Sequence, residues 1–299
     1  MLFERQKTLL ALIDVLGGRV GSTDLQKLLF LWAHDASGTE PAYDFVPYRF
    51  GACSFTSYAD KRKLVEKGLL ADEDMMWAIT PTGTATIQKE VKVRARAAVF
   101  VSKAPEVRGD ALVALTYRRH PFFAIRSEIA ARLLADDAAA LERIEAARPG
   151  KATAGVVTIG YEGRSVEGYL VTLMKASVSV LCDVRRNPIS RRYGFAKSTL
   201  SKACENVGIQ YAHLPGLGIA SAKRQGLDSQ ADYDALFRAY ERDDLPHQTA
   251  DLTTIAQWVE HGERVALTCF ERLPHQCHRH CVADALARAH GTPFIPVHL

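Results

Sequence analysis

Residues 265–289 have the sequence V-A-L-T-C-F-E-R-L-P-H-Q-C-H-R-H-C-V-A-D-A-L-A-R-A, which predicts an apolar strand, a polar elbow and an amphipathic helix. The polar and reactive side chains of the elbow and the first helical turn include Cys269, Glu271, His275, Cys277, His278, Arg279, His280 and Cys281. A helix N-terminus presents free backbone N–H groups and the positive end of the helix dipole, which favour anions and thiolates. The stretch therefore predicts a functional site, although it does not name the reaction.

The sequence upstream of this stretch alternates between strand and helix patterns. Short β-branched strands are predicted to end near residues 160, 183 and 213, and amphipathic helices follow them. This alternation predicts a Rossmann-like α/β domain with a parallel sheet over residues 151–299. Pro149 and Gly150 mark where that domain begins.

Polar residues follow each predicted strand of this domain. Ligands of open parallel sheets bind beyond the carboxyl ends of the strands, so these residues are expected to share one rim. The candidates are Tyr161 and Glu162 after the first strand, Asp183, Arg185 and Arg186 after the second, His213 after the third, and Cys269 and Glu271 after the fourth.

Four motifs in this half resemble a known family in their order and spacing. They are Y-E-G-R-S (161–165), D-V-R-R-N-P-I-S-R-R-Y-G-F (183–195), Y-A-H-L-P-G-L-G (211–218) and C-F-E-R-L-P-H-Q-C-H-R (269–279). The family is uncharacterised domain family 488, a bacterial domain of unknown function, and the resemblance extends from residue 155 to the end. It implies a Rossmann-like α/β fold, but it brings no settled activity. Members with an N-terminal helical extension also occur.

The first 100 residues resemble a winged-helix domain. Helices are predicted at 2–16, after the capping residue Ser22 and at roughly 56–67, and M-M-W-A-I-T-P-T-G (75–83) predicts a strand and turn. In DNA-binding winged helices the third helix enters the major groove. Here that helix and its end offer the candidate DNA-binding residues Lys61, Arg62, Lys63 and Lys67. The alternative is a set of solvated charges on a fold that binds proteins. Residues 101–150 are predicted to form a helical connector.

The loop after the second strand predicts an anion site. Arginine binds phosphate or carboxylate through two parallel hydrogen bonds. Residues 183–197 contain five basic side chains and a single acidic one, Asp183. The predicted anion-binding residues are Tyr161, Arg185, Arg191, Arg192 and Arg279. The alternative is a solvated basic loop in which Asp183 pairs with one arginine.

The candidate catalytic residues are Glu162, Asp183, Glu271, Cys277 and His278. Carboxylates that face each other have their pKa values pushed apart, which suits a general acid and base in phosphoester or glycosidic cleavage. A thiol at a helix N-terminus beside a histidine is a candidate nucleophile. As alternatives, Glu162 orients Arg185, Glu271 caps the helix, and Cys277 packs under the turn as a buried apolar residue.

The sequence predicts no cofactor. A zinc ion held by Cys277, Cys281 and nearby histidines is an alternative, but the usual C-x-x-C or H-x-x-x-H spacing of structural sites is missing. Six cysteines suit a reducing cytoplasm. The absence of a signal-peptide pattern or long apolar run predicts a cytoplasmic protein without a membrane partner.

The residues together favour a DNA-associated enzyme that hydrolyses a phosphate-bearing substrate, either a nucleotide or a nucleic acid. The winged helix would tether it to DNA, although dimerisation is an equally open use of that fold. The first alternative is a DNA-binding regulator that senses a ligand or redox change. The second is an interaction protein of a toxin–antitoxin or phage-defence system. The net charge of +4, shared evenly between residues 1–150 and 151–299, does not decide between them.

Overall fold

The computed structural model describes residues 1–35 and 41–299. Within these ranges, the chain divides into two compact units, Met1–Arg148 and Pro149–Leu299. Each unit has its own cluster of buried apolar side chains. No helix in the described ranges is both long and apolar enough to cross a membrane.

The first unit is mainly helical, as the sequence predicts, and includes the residues assigned to the connector. Its helices are α1 (Glu4–Val15), α2 (Ser22–Asp35), α3 (Phe55–Glu66), α4 (Pro81–Gln88), α5 (Val91–Lys103), α6 (Asp110–Arg119), α7 (Ala130–Leu133) and α8 (Ala138–Ala146). Its strands are β1 (Arg19–Gly21), β2 (Val46–Tyr48), β3 (Gly51–Cys53) and β4 (Met76–Ala78), which pair antiparallel as β1–β4 and β2–β3. The winged-helix assignment itself stays a prediction.

Buried polar contacts fix the third helix of this unit. Ser54 caps α3 by accepting a hydrogen bond from the Ser57 N–H. Asp60 is buried in α3, and it accepts hydrogen bonds from Arg5 (2.6 Å) and Gln6 (2.8 Å) of α1. A buried carboxylate needs such partners, so this contact sets how α1 packs on α3.

The second unit is a parallel α/β domain, which confirms the predicted fold class. Its strands are β5 (Gly155–Gly160), β6 (Val180–Asp183), β7 (Gln210–His213), β8 (Arg264–Cys269) and β9 (Val297–His298). Its helices are α9 (Val166–Lys175), α10 (Lys197–Asn206), α11 (Gln230–Ala239), α12 (Thr249–Glu260) and α13 (Arg279–His290). Single 3-10 turns occur at Pro215–Leu217, Ser221–Lys223 and Pro274–Gln276.

The strand order in this sheet is β7-β6-β8-β5-β9, and every pair is parallel. Strand β8 therefore lies between β5 and β6, although it follows both along the chain. The carboxyl end of β8 is Cys269, which lies between Gly160 at the end of β5 and Asp183 at the end of β6. The reactive segment after β8 is thus at the middle of the rim.

Lys27 in α2 is buried in the first unit and is only 2% exposed. Its Nζ donates a hydrogen bond to the Ala52 carbonyl oxygen at 2.9 Å. Burial lowers the pKa of Lys27 to about 8, because the negative partners near it are too weak to offset the loss of hydration.

We expect Lys27 to make the unfolding free energy depend on pH. Below pH 8 both folded and unfolded states keep the proton, so the whole cost of burying the charge is present. Between pH 8 and 10.5 only the unfolded state keeps it, so stability from this group rises with pH. Relative to Lys27→Met, the wild type should become more stable by about 2 to 3 kcal/mol between pH 7 and pH 10, measured by urea unfolding. Lys63→Met is the matched control, because Lys63 is an exposed lysine of the same unit. An unchanged difference between wild type and Lys27→Met at the two pH values would contradict the expectation.

Candidate functional site

A cavity of about 340 Å³ opens beyond the carboxyl ends of β5, β6 and β8. Its wall contains five arginines and no acidic side chain. The lining residues are Tyr161, Arg185, Arg186, Asn187, Ile189, Ser190, Arg191, Arg192, Ile219, Ser221, Arg224, Cys269 and Phe270. The predicted anion-binding residues Tyr161, Arg185, Arg191 and Arg192 thus lie around one space. Their role stays a prediction.

Asp183 and Arg185 form a buried ion pair behind this cavity. Asp183 Oδ1 accepts from Arg185 Nε at 2.8 Å, and Oδ2 accepts from Arg185 Nη2 at 2.5 Å. Tyr211 Oη donates to the same Oδ2 at 2.7 Å. Arg185 Nη1 also donates to Tyr161 Oη at 2.9 Å and to the Phe195 carbonyl oxygen at 3.0 Å. Asp183 therefore anchors Arg185, which in turn holds the neighbouring strand ends.

The contacts of Asp183 fix the proton states of Arg185 and Tyr211. Burial acts to lower the pKa of Arg185, but the hydrogen bonds and charge of Asp183 outweigh it, and the pKa is raised. Burial and the Asp183 charge both raise the pKa of Tyr211. Arg185 is therefore a permanent cation in the cavity wall, and Tyr211 remains a hydrogen-bond donor.

The other arginines of the loop after β6 have no acidic partner among the residues that the structure describes. Arg186 donates only a long hydrogen bond, 3.4 Å, to the Pro215 carbonyl oxygen, and Arg192 donates to the Arg164 carbonyl oxygen. Arg191 makes no hydrogen bond or ion pair with any residue that the structure describes. All three side chains are exposed, so they are available to an anion in the cavity.

Aromatic rings form the other side of the cavity. Tyr161 stacks on Phe195, with ring centroids 4.3 Å apart and planes 10° apart. Phe270 contacts the Tyr161 ring edge-to-face at 5.3 Å and is 43% exposed. An exposed phenylalanine beside several arginines offers a flat apolar surface next to positive charge.

A compact cluster of reactive side chains lies under the cavity, at the end of β8. Cys269 Sγ is 3.4 Å from Glu271 Oε2 and 3.7 Å from His278 Nδ1. One ligand atom from each of Cys269, Cys277 and His278 lies within 4.8 Å of the others. Arg224 forms an ion pair with Glu271 Oε1. Every member except Arg224 is buried.

The surroundings of the cluster set the charges of its members. Burial acts to raise the pKa of Glu271, but the Arg224 charge, a hydrogen bond from Cys277 and the charge of His278 together outweigh it, and the pKa is lowered. Burial and the neighbouring Cys269 raise the pKa of Cys277 well above its usual range. Without a bound cation, Glu271 is therefore a carboxylate at neutral pH and Cys277 is a neutral thiol, which is a poor nucleophile.

Two other predicted residues hold the loop after β8 rather than line the cavity. Arg279 is buried and donates to the carbonyl oxygens of Glu271 (2.5 Å) and Arg272 (3.0 Å). Glu162 accepts a hydrogen bond from the Arg272 N–H at 3.0 Å. Cys281 lies beside His280, 3.5 Å from its Nε2, and is not in the group formed by Cys269, Cys277 and His278.

Arg224 is part of the site, but no pattern in the sequence predicts it. This residue lies between the third and fourth predicted strands of the domain, in a segment without a strand or helix pattern, and its only signal is the adjacent Lys223-Arg224 pair. Cys269 belongs to the polar elbow in the sequence, but the pattern does not distinguish it as a catalytic or anion-binding residue, although it lines the cavity.

The candidate DNA-binding residues differ in their surroundings within the first unit. Lys61 is buried, and its Nζ donates to the Glu73 and Met76 carbonyl oxygens. Arg62, Lys63 and Lys67 are exposed. Lys61 is thus held inside its own unit, and the exposed basic residues of α3 and its C-terminal cap are the other three.

The second unit is a Rossmann-like α/β domain with an arginine-lined cavity at its rim. A family model described as "Domain of unknown function DUF488" matches residues 165–286 of the chain. This match confirms the resemblance of the C-terminal half to that family. No curated protein and no solved structure matches the chain.

Gly160 is required where β5 meets the segment after β8. A Cβ atom at this position would lie 1.9 Å from the Glu271 carbonyl oxygen. We expect Gly160→Ala to shift that backbone and to lower the unfolding free energy by about 1 to 3 kcal/mol, as overpacking of buried sites does. Gly150→Ala is the control, because no atom lies within 4 Å of the added Cβ. Chemical denaturation measures the unfolding free energy of both variants. Equal stability of the two would show that the close approach does not require glycine.

Proposed function

We propose that this protein is a DNA-associated enzyme that binds a nucleotide or nucleic-acid phosphate in the arginine-lined cavity and hydrolyses it. One observation supports this proposal above others: the cavity wall contains five arginines and no acidic side chain. Within residues 1–35 and 41–299, only Arg185 and Arg224 of these arginines have a carboxylate partner of their own.

The arginines differ in the part they take in binding the anion. Arg185 is fixed by Asp183 and provides a rigid positive wall. Arg186, Arg191 and Arg192 are exposed and project from the loop after β6, so they are the groups that we assign to the phosphate oxygens. Guanidinium groups match phosphate geometry through paired hydrogen bonds.

The aromatic side of the cavity favours a nucleotide over inorganic phosphate as the ligand. Phe270 is exposed at the cavity wall and is supported from one side by Tyr161. Base stacking on an aromatic side chain is worth about 1 to 3 kcal/mol and tolerates different bases. A ligand with a base on Phe270 and phosphate oxygens on the arginines would use both sides of the cavity.

Glu271 is the group that we assign as the general base. It is buried next to the cavity, and its pKa is lowered by Arg224, so it is ionised and can accept a proton from water. Arg224 and Cys269, which both contact Glu271, line the cavity. Asp183 and Glu162 are less suited, because the first is saturated by Arg185 and Tyr211 and the second supports the Arg272 N–H.

The first unit supplies the proposed DNA contact. The order α1, β1, α2, β2, β3, α3, β4 places three helices around strand β1, which pairs with β4, and this supports a winged-helix assignment in which the β2–β3 hairpin is inserted between α2 and α3. An isolated antiparallel bridge also joins Leu70, after α3, to Ile79, after β4. Helix α3 would then be the recognition helix. Because Lys61 is held internally, Arg62, Lys63 and Lys67 are the basic residues that we assign to DNA phosphates.

We expect the double variant Arg186→Gln, Arg191→Gln to bind nucleoside mono- and diphosphates at least about a hundredfold more weakly than wild type, because each of the two lost charge-assisted hydrogen bonds contributes about 1.5 to 3 kcal/mol. Isothermal titration with each nucleotide measures the affinity. Arg238→Gln, an exposed arginine outside the cavity, is the matched control. Equal affinities of the double variant and the control would exclude the cavity as the phosphate site.

Turnover separates an enzyme from a ligand-sensing regulator. We expect the wild type to release phosphate or base from nucleotides or from DNA, which chromatography measures. The rate of release should fall at least about a hundredfold in Glu271→Gln, because that carboxylate is the proposed base. The ligand should still bind to Glu271→Gln, because the loop arginines are unchanged. Binding without any product in the wild type would reject the enzyme and favour the regulator.

We expect duplex DNA binding by the full chain to depend on salt through the exposed residues of α3. In the triple variant Arg62→Ala, Lys63→Ala, Lys67→Ala, the slope of log affinity against log salt should become shallower. The expected change is about 0.9 for each DNA phosphate that the variant no longer neutralises. Lys89→Ala, Lys92→Ala removes exposed charge from the same unit and is the control. Fluorescence anisotropy across a salt series measures the slopes. A slope that is unaltered in the triple variant would refute the assignment of α3.

A further inference from the structure

The cluster under the cavity has the dimensions of a tetrahedral metal site. In zinc sites with Zn–S bonds of about 2.3 Å and Zn–N bonds of about 2.0 Å, neighbouring ligand atoms are about 3.5 to 3.8 Å apart. Cys269 Sγ and His278 Nδ1 are 3.7 Å apart. Cys277 completes the group, in which all ligand atoms lie within 4.8 Å of one another. Small side-chain rotations would therefore bring the three groups onto one ion.

The hydrogen bonding of His278 leaves the correct nitrogen free. Its Nε2 is 3.0 Å from the Val184 carbonyl oxygen, which can only accept a hydrogen bond. Nε2 therefore carries the proton, and in the neutral ring Nδ1 presents its lone pair toward Cys269. Metal-binding histidines commonly have this arrangement, in which the second ring nitrogen donates to a carbonyl oxygen and fixes the ring.

The backbone around the three groups is fixed without a metal. Cys269 is the last residue of β8, and Cys277 and His278 directly precede α13. The loop between them is held by Arg279, which donates to two of its carbonyl oxygens. A site that is already ordered loses little conformational freedom when an ion binds.

We propose that Cys269, Cys277 and His278 bind one zinc ion through two thiolates and Nδ1 of the imidazole, with the fourth position open on the cavity side, next to Glu271. Two sulfur ligands and one imidazole select zinc over magnesium or calcium, which prefer oxygen. Three protein ligands with an open position are the pattern of catalytic zinc sites.

The role of this ion, unlike its binding, rests on the proposed function. At its open coordination position, the ion would polarise a phosphate oxygen or bind the attacking water, and Glu271 would accept the proton of that water. The arginines would hold the rest of the phosphate in the cavity. The attacking water gives its oxygen to phosphorus, the bond to the leaving oxygen breaks, and the proton moves to Glu271.

The binding of the ion is tested on the full chain stripped by a chelator and titrated with Zn²⁺ or Co²⁺. We expect one ion per chain and, for Co²⁺, an intense thiolate-to-metal charge-transfer absorption in the near ultraviolet with tetrahedral visible bands. Cys269→Ser and Cys277→Ser should each weaken Zn²⁺ binding by at least about a hundredfold. Cys281→Ser is the matched control, because it removes a buried thiol of the same segment that lies outside the group.

Two measurements keep the result interpretable if a variant does not fold. Circular dichroism of each stripped variant reports its fold. X-ray absorption at the zinc edge of the wild type should show two sulfur ligands at about 2.3 Å without any substitution. The proposal is overturned if the folded, stripped wild type takes up no Zn²⁺ in the micromolar range, if the absorption edge shows no sulfur ligands, or if Cys281→Ser alone abolishes zinc binding.

Nucleotide titration of the same samples separates this proposal from the proposed function. Zinc binding through Cys269 and Cys277 without nucleotide binding would support the metal site and reject the phosphate substrate. Nucleotide binding by a wild type that takes up no zinc would support the phosphate substrate and reject the metal site.

Discussion

The rim of the second unit depends on the buried ion pair between Asp183 and Arg185. A buried charge is costly unless it is paired and its remaining hydrogen-bonding atoms are satisfied. Here Asp183 also accepts from Tyr211, and Arg185 also donates to Tyr161 and to the Phe195 carbonyl oxygen. The pair thereby connects the ends of β5, β6 and β7 with the start of α10. Removing either partner would leave an uncompensated charge and release the loop that carries the other arginines.

The position of β8 brings reactive side chains to this fixed rim. Because β8 lies between β5 and β6, Cys269 and Glu271 emerge beside Tyr161 and the Asp183–Arg185 pair instead of at an edge of the sheet. Two glycines permit the close approach of the segments. A Cβ at Gly160 would overlap the Glu271 carbonyl oxygen, and a Cβ at Gly218 would lie 2.1 Å from the Arg186 nitrogen. The small size of these residues, and not their flexibility, is what the cavity requires.

Patterns in the sequence predict the parallel sheet and the rim, because alternating strands and helices bury a sheet on both faces and direct its carboxyl ends to one edge. They do not predict the strand order, since periodicity is the same whether β8 is central or at an edge. For that reason neither the proximity of Cys269 to His278 nor the presence of Arg224 at the site follows from the sequence. Residue type also does not reveal burial: Lys61 and Asp183 are functional candidates by sequence, yet both have all their polar contacts inside the protein.

The contrast between neighbouring arginines supports the proposal that the loop after β6 binds an anion. Arg185 is buried, paired and saturated, as expected of a residue that stabilises a fold. Arg186 and Arg191 are exposed on the same loop, and between them make one long hydrogen bond with the described residues. Like charges held close together repel and destabilise the folded state, so these side chains do not serve the stability of the loop. An anion in the cavity would remove that repulsion. If the ligand is a phosphate, its negative charge would also lie next to Cys269, which lines the cavity and contacts the Glu271 carboxylate. A cation below the phosphate would then balance charge beside Glu271, where Arg224 is already paired with that carboxylate.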